Sequence, residues 1–351
     1  MGNWAELPED LLVLTAKKIT LFEDFLSFSG VCRSWRSVAI NDNFKGSEQI
    51  PWLMLSDRDK PNERKFVSLR KGGVICTVNL SEARGKRRVE TLGWLVTLAE
   101  DGEMNLLHPF TRVQINLPHV TTFKDYHMKS FLINTSFIQK AVLSSRPEES
   151  KDYVLVVILG GGYVCYWRPG DKSWTDVIGH VASFPDIIFH DGLFYGLMCS
   201  FVFAFDVWGP DPTRPWIVLH RPDRPKIGSN EQPFLVESAG VLLLGKRDFR
   251  NSRFQVIQTA LKEKGRWVEI TTLGDNALFL GDNASISVDA SKFRGIKANR
   301  VYCTDKYWEF YERGVNHTGI YCMEDGRKSP CYEEESFDLI CPPLWVNPSS
   351  L

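Results

Sequence analysis

Among its eight cysteines the chain has no C-x-x-C pair, and its seven histidines offer no His-x-x-x-His spacing, so neighbouring residues assemble no zinc set. The cysteines, scattered at positions 32, 76, 165, 199, 303, 322, 331 and 341, read as buried thiols in a reducing compartment. A net charge of −1 supplies no basic stripe, which excludes a polyanion such as a nucleic-acid backbone as the expected partner. Long apolar runs are also missing. The longest, Tyr153 to Leu159 and Val241 to Leu244, are too short to cross a bilayer, and the first residues lack a basic segment followed by an apolar one. A location in the nucleus, the cytoplasm or both is therefore expected. No serine sits in a Gly-x-Ser-x-Gly elbow, and Gly160-Gly161-Gly162 lacks the Gly-Lys-Ser/Thr that makes such a loop bind phosphate. His180, Asp186, His190 and Asp191 share no ligand-like spacing, and Asp191-Gly192 is a hairpin turn signal. The expectation is a protein with no catalytic residues, no cofactor and no metal.

What is present divides into two styles of sequence. At 351 residues, with 43% hydrophobic and 24% charged, the chain has room for about two domains. Pro8 followed by Glu9 and Asp10 opens a helix, with negative charge on its positive end. Leu11, Thr15 and Lys18, and beside them Leu12, Ala16 and Ile19, recur at helical spacing. Phe22 to Phe28 is a second, aromatic helix, broken by Gly30. A third carries Val31, Trp35 and Val38 on one face and Arg33 and Arg36 on another. Three such helices cannot bury much, since chains below about 40 residues rarely hold themselves together. Something must cover their remaining apolar face.

Past the polar joint at Lys45 to Gln49, short β-branched and aromatic runs alternate with Gly, Pro, Asn and Asp clusters. The domains are thus residues 1–45, helical, and 46–351, all-β. A weak repeat, in which a turn with Gly or Pro precedes a Trp and an aliphatic strand, places Trp174, Trp216 and Trp267 near the period of about 40 to 50 residues of propeller blades. Each Trp is expected to fill the wedge between two blades, and the remaining length gives roughly six blades. Arg84-Gly85-Lys86-Arg87-Arg88 reads first as a solvated basic loop and second as a nuclear-import signal.

Two sets of phrases carry a family likeness. Leu7-Pro8-Glu9-Asp10-Leu11-Leu12 and then Val31-Cys32-Arg33-Ser34-Trp35-Arg36 resemble an F-box, the module that docks on the Skp-type adaptor of a cullin-based ubiquitin ligase. By that resemblance Leu7, Pro8, Leu11, Leu12, Ile19, Val31 and Cys32 form the adaptor-facing side, and Trp35 and Val38 the helix packing. Thr15 departs from the pattern, standing where an apolar residue is common. Val156 to Gly161 ahead of Tyr166 and Trp174 resembles a kelch blade. Gly93-Trp94-Leu95-Val96, Leu106 to Thr111, Leu273 to Gly281 and Pro342 to Val346, in that order, resemble the propeller of plant KIB-like and SKIP-like F-box proteins; His108 stands where Asn is more usual. The resemblance implies a mainly β protein, a three-helix F-box followed by a kelch-like propeller. Its implied role is substrate receptor of a cullin-based (SCF-type) ligase, the propeller gripping the protein to be ubiquitinated. The alternative is a propeller that binds a sugar or other small molecule, the helices being an appendage.

Overall fold

The computed structural model describes residues 4–40, 44, 49–55, 60–124, 126, 137–177, 183–198, 201–220, 231–248, 253–260, 266–281, 283–304, 318–332 and 342–348. Three helices come first: α1 (Glu9–Ala16), α2 (Phe22–Ser29) and α3 (Arg33–Ile40). Pro8 is the residue before α1, and its carbonyl accepts from the Leu11 and Leu12 amides at 3.1 and 3.2 Å. Glu9 and Asp10 sit in the first turn, where carboxylates oppose the helix dipole favourably.

The strands form six sheets among the described residues, one per blade. Blade 1 pairs β1 (Trp52–Met54), β2 (Glu63–Ser68) and β3 (Gly73–Asn79) with the chain's last strand, β25 (Leu344–Val346). Blade 2 is β4 (Arg87–Thr91), β5 (Trp94–Leu98), β6 (Met104–Leu107) and β7 (Gln114–Asn116). Blade 3 is β8 (Ile138–Leu143), β9 (Leu155–Leu159), β10 (Tyr163–Trp167) and β11 (Thr175–Asp176). Blade 4 is β12 (Asp186–His190), β13 (Leu193–Met198), β14 (Phe201–Phe205) and β15 (Trp216–His220). Blade 5 is β16 (Glu231–Ser238), β17 (Val241–Asp248), β18 (Arg253–Ala260) and β19 (Arg266–Ile270). Blade 6 orders β21 (Ser285–Asp289), β20 (Asn276–Leu280), β22 (Arg300–Cys303), β23 (Gly319–Cys322) and β24 (Lys328–Ser329). There β20 and β22 run parallel, so this blade is not a simple meander.

The innermost strands β4, β8, β12, β16 and β21 neighbour one another in turn around the axis, and β25 neighbours β4. Apolar side chains collect between successive blades. In β9, Leu155, Val157 and Leu159 join the core shared with blade 2, while Val156 and Ile158 join the core shared with blade 4. A blade interior is covered on both faces, which is why this strand is a continuous apolar run with no alternation. Closure is antiparallel, with Leu53 opposite Trp345, whose indole meets Phe279 of blade 6 edge-on at 5.1 Å and donates to the Leu280 carbonyl. First and last segments thus seal the ring together.

Trp174 fills a wedge as the repeat predicts: it stacks on Phe123 at 4.6 Å, between blades 2 and 3. Trp216 does not. It lies in the outermost strand of blade 4, 44% exposed, because no further strand covers it. The Asp191-Gly192 turn forms the β12–β13 hairpin with φ of 48° and 81°, both in the left-handed region that a tight hairpin requires. Arg87 and Arg88 correct the reading of a basic loop. Both are buried in β4, the innermost strand of blade 2, so they form neither a solvated loop nor an accessible import signal.

Candidate docking face and channel

The helices are bolted to one end of the ring. Phe22 stacks on Trp52 at 5.7 Å and meets Phe110, in the turn after β6, edge-on at 5.3 Å. Gln49 accepts from the Phe22 amide and donates to the Thr20 carbonyl, which satisfies the start of α2 with a side chain from the joint. Arg70, in the β2–β3 turn, pairs with the buried carboxylate of Glu23 and, at 2.6 Å, with Asp24. The two carboxylates raise the Arg70 pKa against the opposing effect of its burial. Phe22, Phe25 and Phe28 share one core with Phe66 of blade 1 and Leu95 and Leu107 of blade 2.

The residues assigned to the adaptor side separate. Leu11 is 48% exposed and Val31 53%; Pro8 is exposed too. Leu7, Ile19 and Cys32 are half-buried. Leu12 is the correction: at 1% exposure it belongs to the core joining helices and blades and offers nothing to an outsider. Adjacent helical residues point about 100° apart, so a leucine pair always splits between faces. The sequence reading missed Leu14, 57% exposed, and Trp4, 72% exposed. Pro8, Leu11 and Leu14 follow one another at three-residue steps, and that spacing was the available signal. Trp4 joins the third helix, its carbonyl accepting from the Trp35 indole at 3.1 Å. Trp35 packs on Phe28 at 4.6 Å, and Val38 is fully buried. Thr15 turns its hydroxyl back onto the Leu11 carbonyl at 2.7 Å, so the departure from the apolar pattern is satisfied within the helix. At the entry to α3 the Cys32 thiol is held below its usual range, first by the Ser34 hydroxyl and then by the Trp35 amide.

His108 is buried, its Nδ1 accepting from the Thr111 amide at 3.2 Å, and burial lowers its pKa to about 4. It acts as a neutral turn residue, where an Asn side chain would also accept.

The channel holds the second concentration of polar groups. Lys140 pairs with Asp186, and both are buried. Asp186 also accepts from its neighbour Ile187 at 2.8 Å and from Leu235 of blade 5 at 2.5 Å, while Lys140 reaches Ser285 of blade 6 at 3.2 Å. One buried pair thus links blades 3, 4, 5 and 6. No group of three or more His, Cys, Asp or Glu side chains suited to a metal occurs among the described residues. On one side of this pair is a cavity of about 300 Å³ bordered by Glu90, Glu237 and Asn347.

Residues 66–322 match the KIB1-4 beta-propeller family. Among curated proteins of Arabidopsis thaliana, the chain is 26% identical to F-box protein At2g17036 over 83% of its own length and 80% of the relative's. It is 24% identical to F-box protein SKIP23 over 83% and 81%, and 26% identical to F-box protein At2g26160 over 86% and 96%. With the match spanning most of the ring, and these plant proteins aligned along at least four fifths of their length, the chain belongs to the KIB1-4 beta-propeller family.

Proposed function

We propose that this protein is the substrate-receptor subunit of a cullin-based (SCF-type) ubiquitin ligase, its helices docking a Skp-type adaptor and its propeller holding the client. The observation that carries the reading is the apolar stripe Pro8, Leu11 and Leu14, left exposed on helices whose opposite side is already covered by the blades. Exposed apolar surface of this kind marks an interaction site. The F-box naming of the Arabidopsis relatives agrees in kind. No catalytic residue is needed, because a receptor acts by raising the local concentration of client beside the conjugating enzyme.

The end of the ring away from the helices is the client side in this reading. Arg70 and Phe110, which touch the helices, lie in the turns between third and fourth strands of blades 1 and 2. The turns between second and third strands lie at the other end, by the antiparallel pairing. Of the long charged loops that suggest themselves for client binding, residues 57–64, 222–232 and 246–253, the parts at 57–59, 222–230 and 249–252 lie outside the described residues. Their described flanks carry exposed or half-buried charge, including the Lys60–Glu63 pair at 3.1 Å and the Lys246–Glu231 pair at 2.7 Å. The location that follows is the nucleus, the cytoplasm or both, where ligase and client meet.

The test is co-purification of the full chain with a Skp-type adaptor and a cullin. Leu11→Glu with Leu14→Glu should abolish capture, whereas Trp216→Glu on blade 4 should leave it intact. Capture that survives the double change sinks the docking reading.

A further inference from the structure

The cavity of about 300 Å³ in the channel, at the lower end of the range of about 300–1,000 Å³ for ligand pockets, has an unusual chemical bias. Its floor is the waist of the channel: Lys140, Ala284 and Ser285 line both this cavity and a void of about 20 Å³ on the other side. Glu90, 3% exposed, spends one carboxylate oxygen on the Gly93 amide at 2.8 Å and the Asn347 amide at 3.4 Å. Both of these bonds fall on Oε1, and the side chain borders the cavity, which leaves Oε2 as the oxygen a ligand there would meet. The side-chain oxygen of Asn347, on the same wall, is buried and without a partner. Of the nearby hydroxyls, Thr91 accepts from the Leu143 amide, Ser144 accepts from Val154, and Ser287 is bonded to Ser238. Glu237 adds a second carboxylate, one oxygen of which accepts from Gly240. Two carboxylates and the unpartnered Asn347 oxygen make this wall rich in acceptors. An ammonium group has three donors and no acceptor, which makes it the complement of an acceptor-rich site. A buried acceptor left unmade carries a desolvation cost that such a ligand removes.

We propose that this channel mouth binds a small organic amine, with the ammonium seated against Glu90 Oε2 and its alkyl part against Val142 and Phe189. The two cations that act on Glu90 are each paired, Lys140 with Asp186 and Arg146 with Glu149, which leaves the site's sign negative. The site is separate from the helical docking stripe and stands whether or not that stripe binds an adaptor.

The direct experiment is calorimetry on the full chain with butylammonium, and with butan-1-ol as the neutral isostere. Saturable binding of the amine and none of the alcohol is expected. Glu90→Gln keeps an acceptor for Gly93 and Asn347 but removes the charge, and should weaken the amine at least about tenfold, the loss of one charge-assisted bond. Equal binding of alcohol and amine, no saturable amine binding, or undiminished affinity in Glu90→Gln overturns the proposal. Should that variant fail to fold, the pH profile of the unchanged chain decides. The charged groups that bear on Glu90 are the cations Arg146 and Lys140, with Glu237 on the same wall and Asp186 paired to Lys140. Burial, partly offset by the Gly93 and Asn347 amides and the two cations, raises the Glu90 carboxyl to about 7. Amine affinity should therefore fall about tenfold from pH 8 to pH 6, as the carboxylate is lost. A flat profile contradicts the seat at Glu90.

Discussion

The ring and the helices face the same problem, covering apolar surface, and differ in how far they succeed. Each blade has a blade on either side, and β25 brings the chain's end back to its beginning, so every inter-blade core is closed by the chain itself. The helices have one neighbour. Leu12, Ala16, Phe22, Phe25, Phe28 and Val38 are covered by it or by one another, while Trp4, Leu11, Leu14 and Val31 remain in water. A ring can complete itself because its repeats are cyclic; a short helical cluster at one end of it cannot. Its uncovered side is the surface on which the docking proposal rests, and its covered side fixes the helices relative to the blades.

The sharpest way to break the ring is at its seal. Trp345→Ala should cost about 3–5 kcal/mol, the usual loss on truncating a buried Trp, read as a lower denaturant midpoint. Opening the joint between the two regions comes next. Arg70→Ala leaves Glu23 buried without its ion-pair partner, and about 3 kcal/mol should be lost. Native-state proteolysis should then cut the helices before the blades. A smaller effect belongs to the channel. The Glu90 carboxyl, raised to about 7 chiefly by burial, binds its proton more tightly folded than unfolded. Its contribution to stability is greatest at low pH and declines as pH rises from the unfolded value of about 4.3 to about 7. Glu90→Gln should remove that dependence, so that its melting temperature relative to the parent rises from pH 5 to pH 8; a pH-independent difference would count against the buried carboxyl.

Much of this comparison was legible in the residues. Leu7-Pro8 followed by two acids announces the first helix, and Asp191-Gly192 announces a hairpin whose two positive φ angles the structure confirms. The blade count followed from the Trp period; Trp174 wedges as expected, Trp216 stays exposed, and the Trp267 side chain lies outside the described residues. What was hidden is non-local. The burial of Arg87 and Arg88 in β4 contradicts their charge and depends on where that strand falls in the ring. The seal joins β25 to β1 across nearly the whole chain, and three residues carry too little pattern to announce a strand. The Lys140–Asp186 pair brings together side chains from two different blades, with no spacing signal at all. At the docking face, helical periodicity identified apolar stripes but not which of Leu11 and Leu12 would meet the blades.

The most direct measurement is the affinity of a Skp-type adaptor for the parent chain and for Leu11→Glu with Leu14→Glu, taken with the melting temperature of each. The account predicts unchanged melting, since exposed substitutions usually stay within about 0.5 kcal/mol, together with a loss of at least about 30-fold in affinity, about 2 kcal/mol. Undiminished affinity at unchanged melting temperature would contradict it.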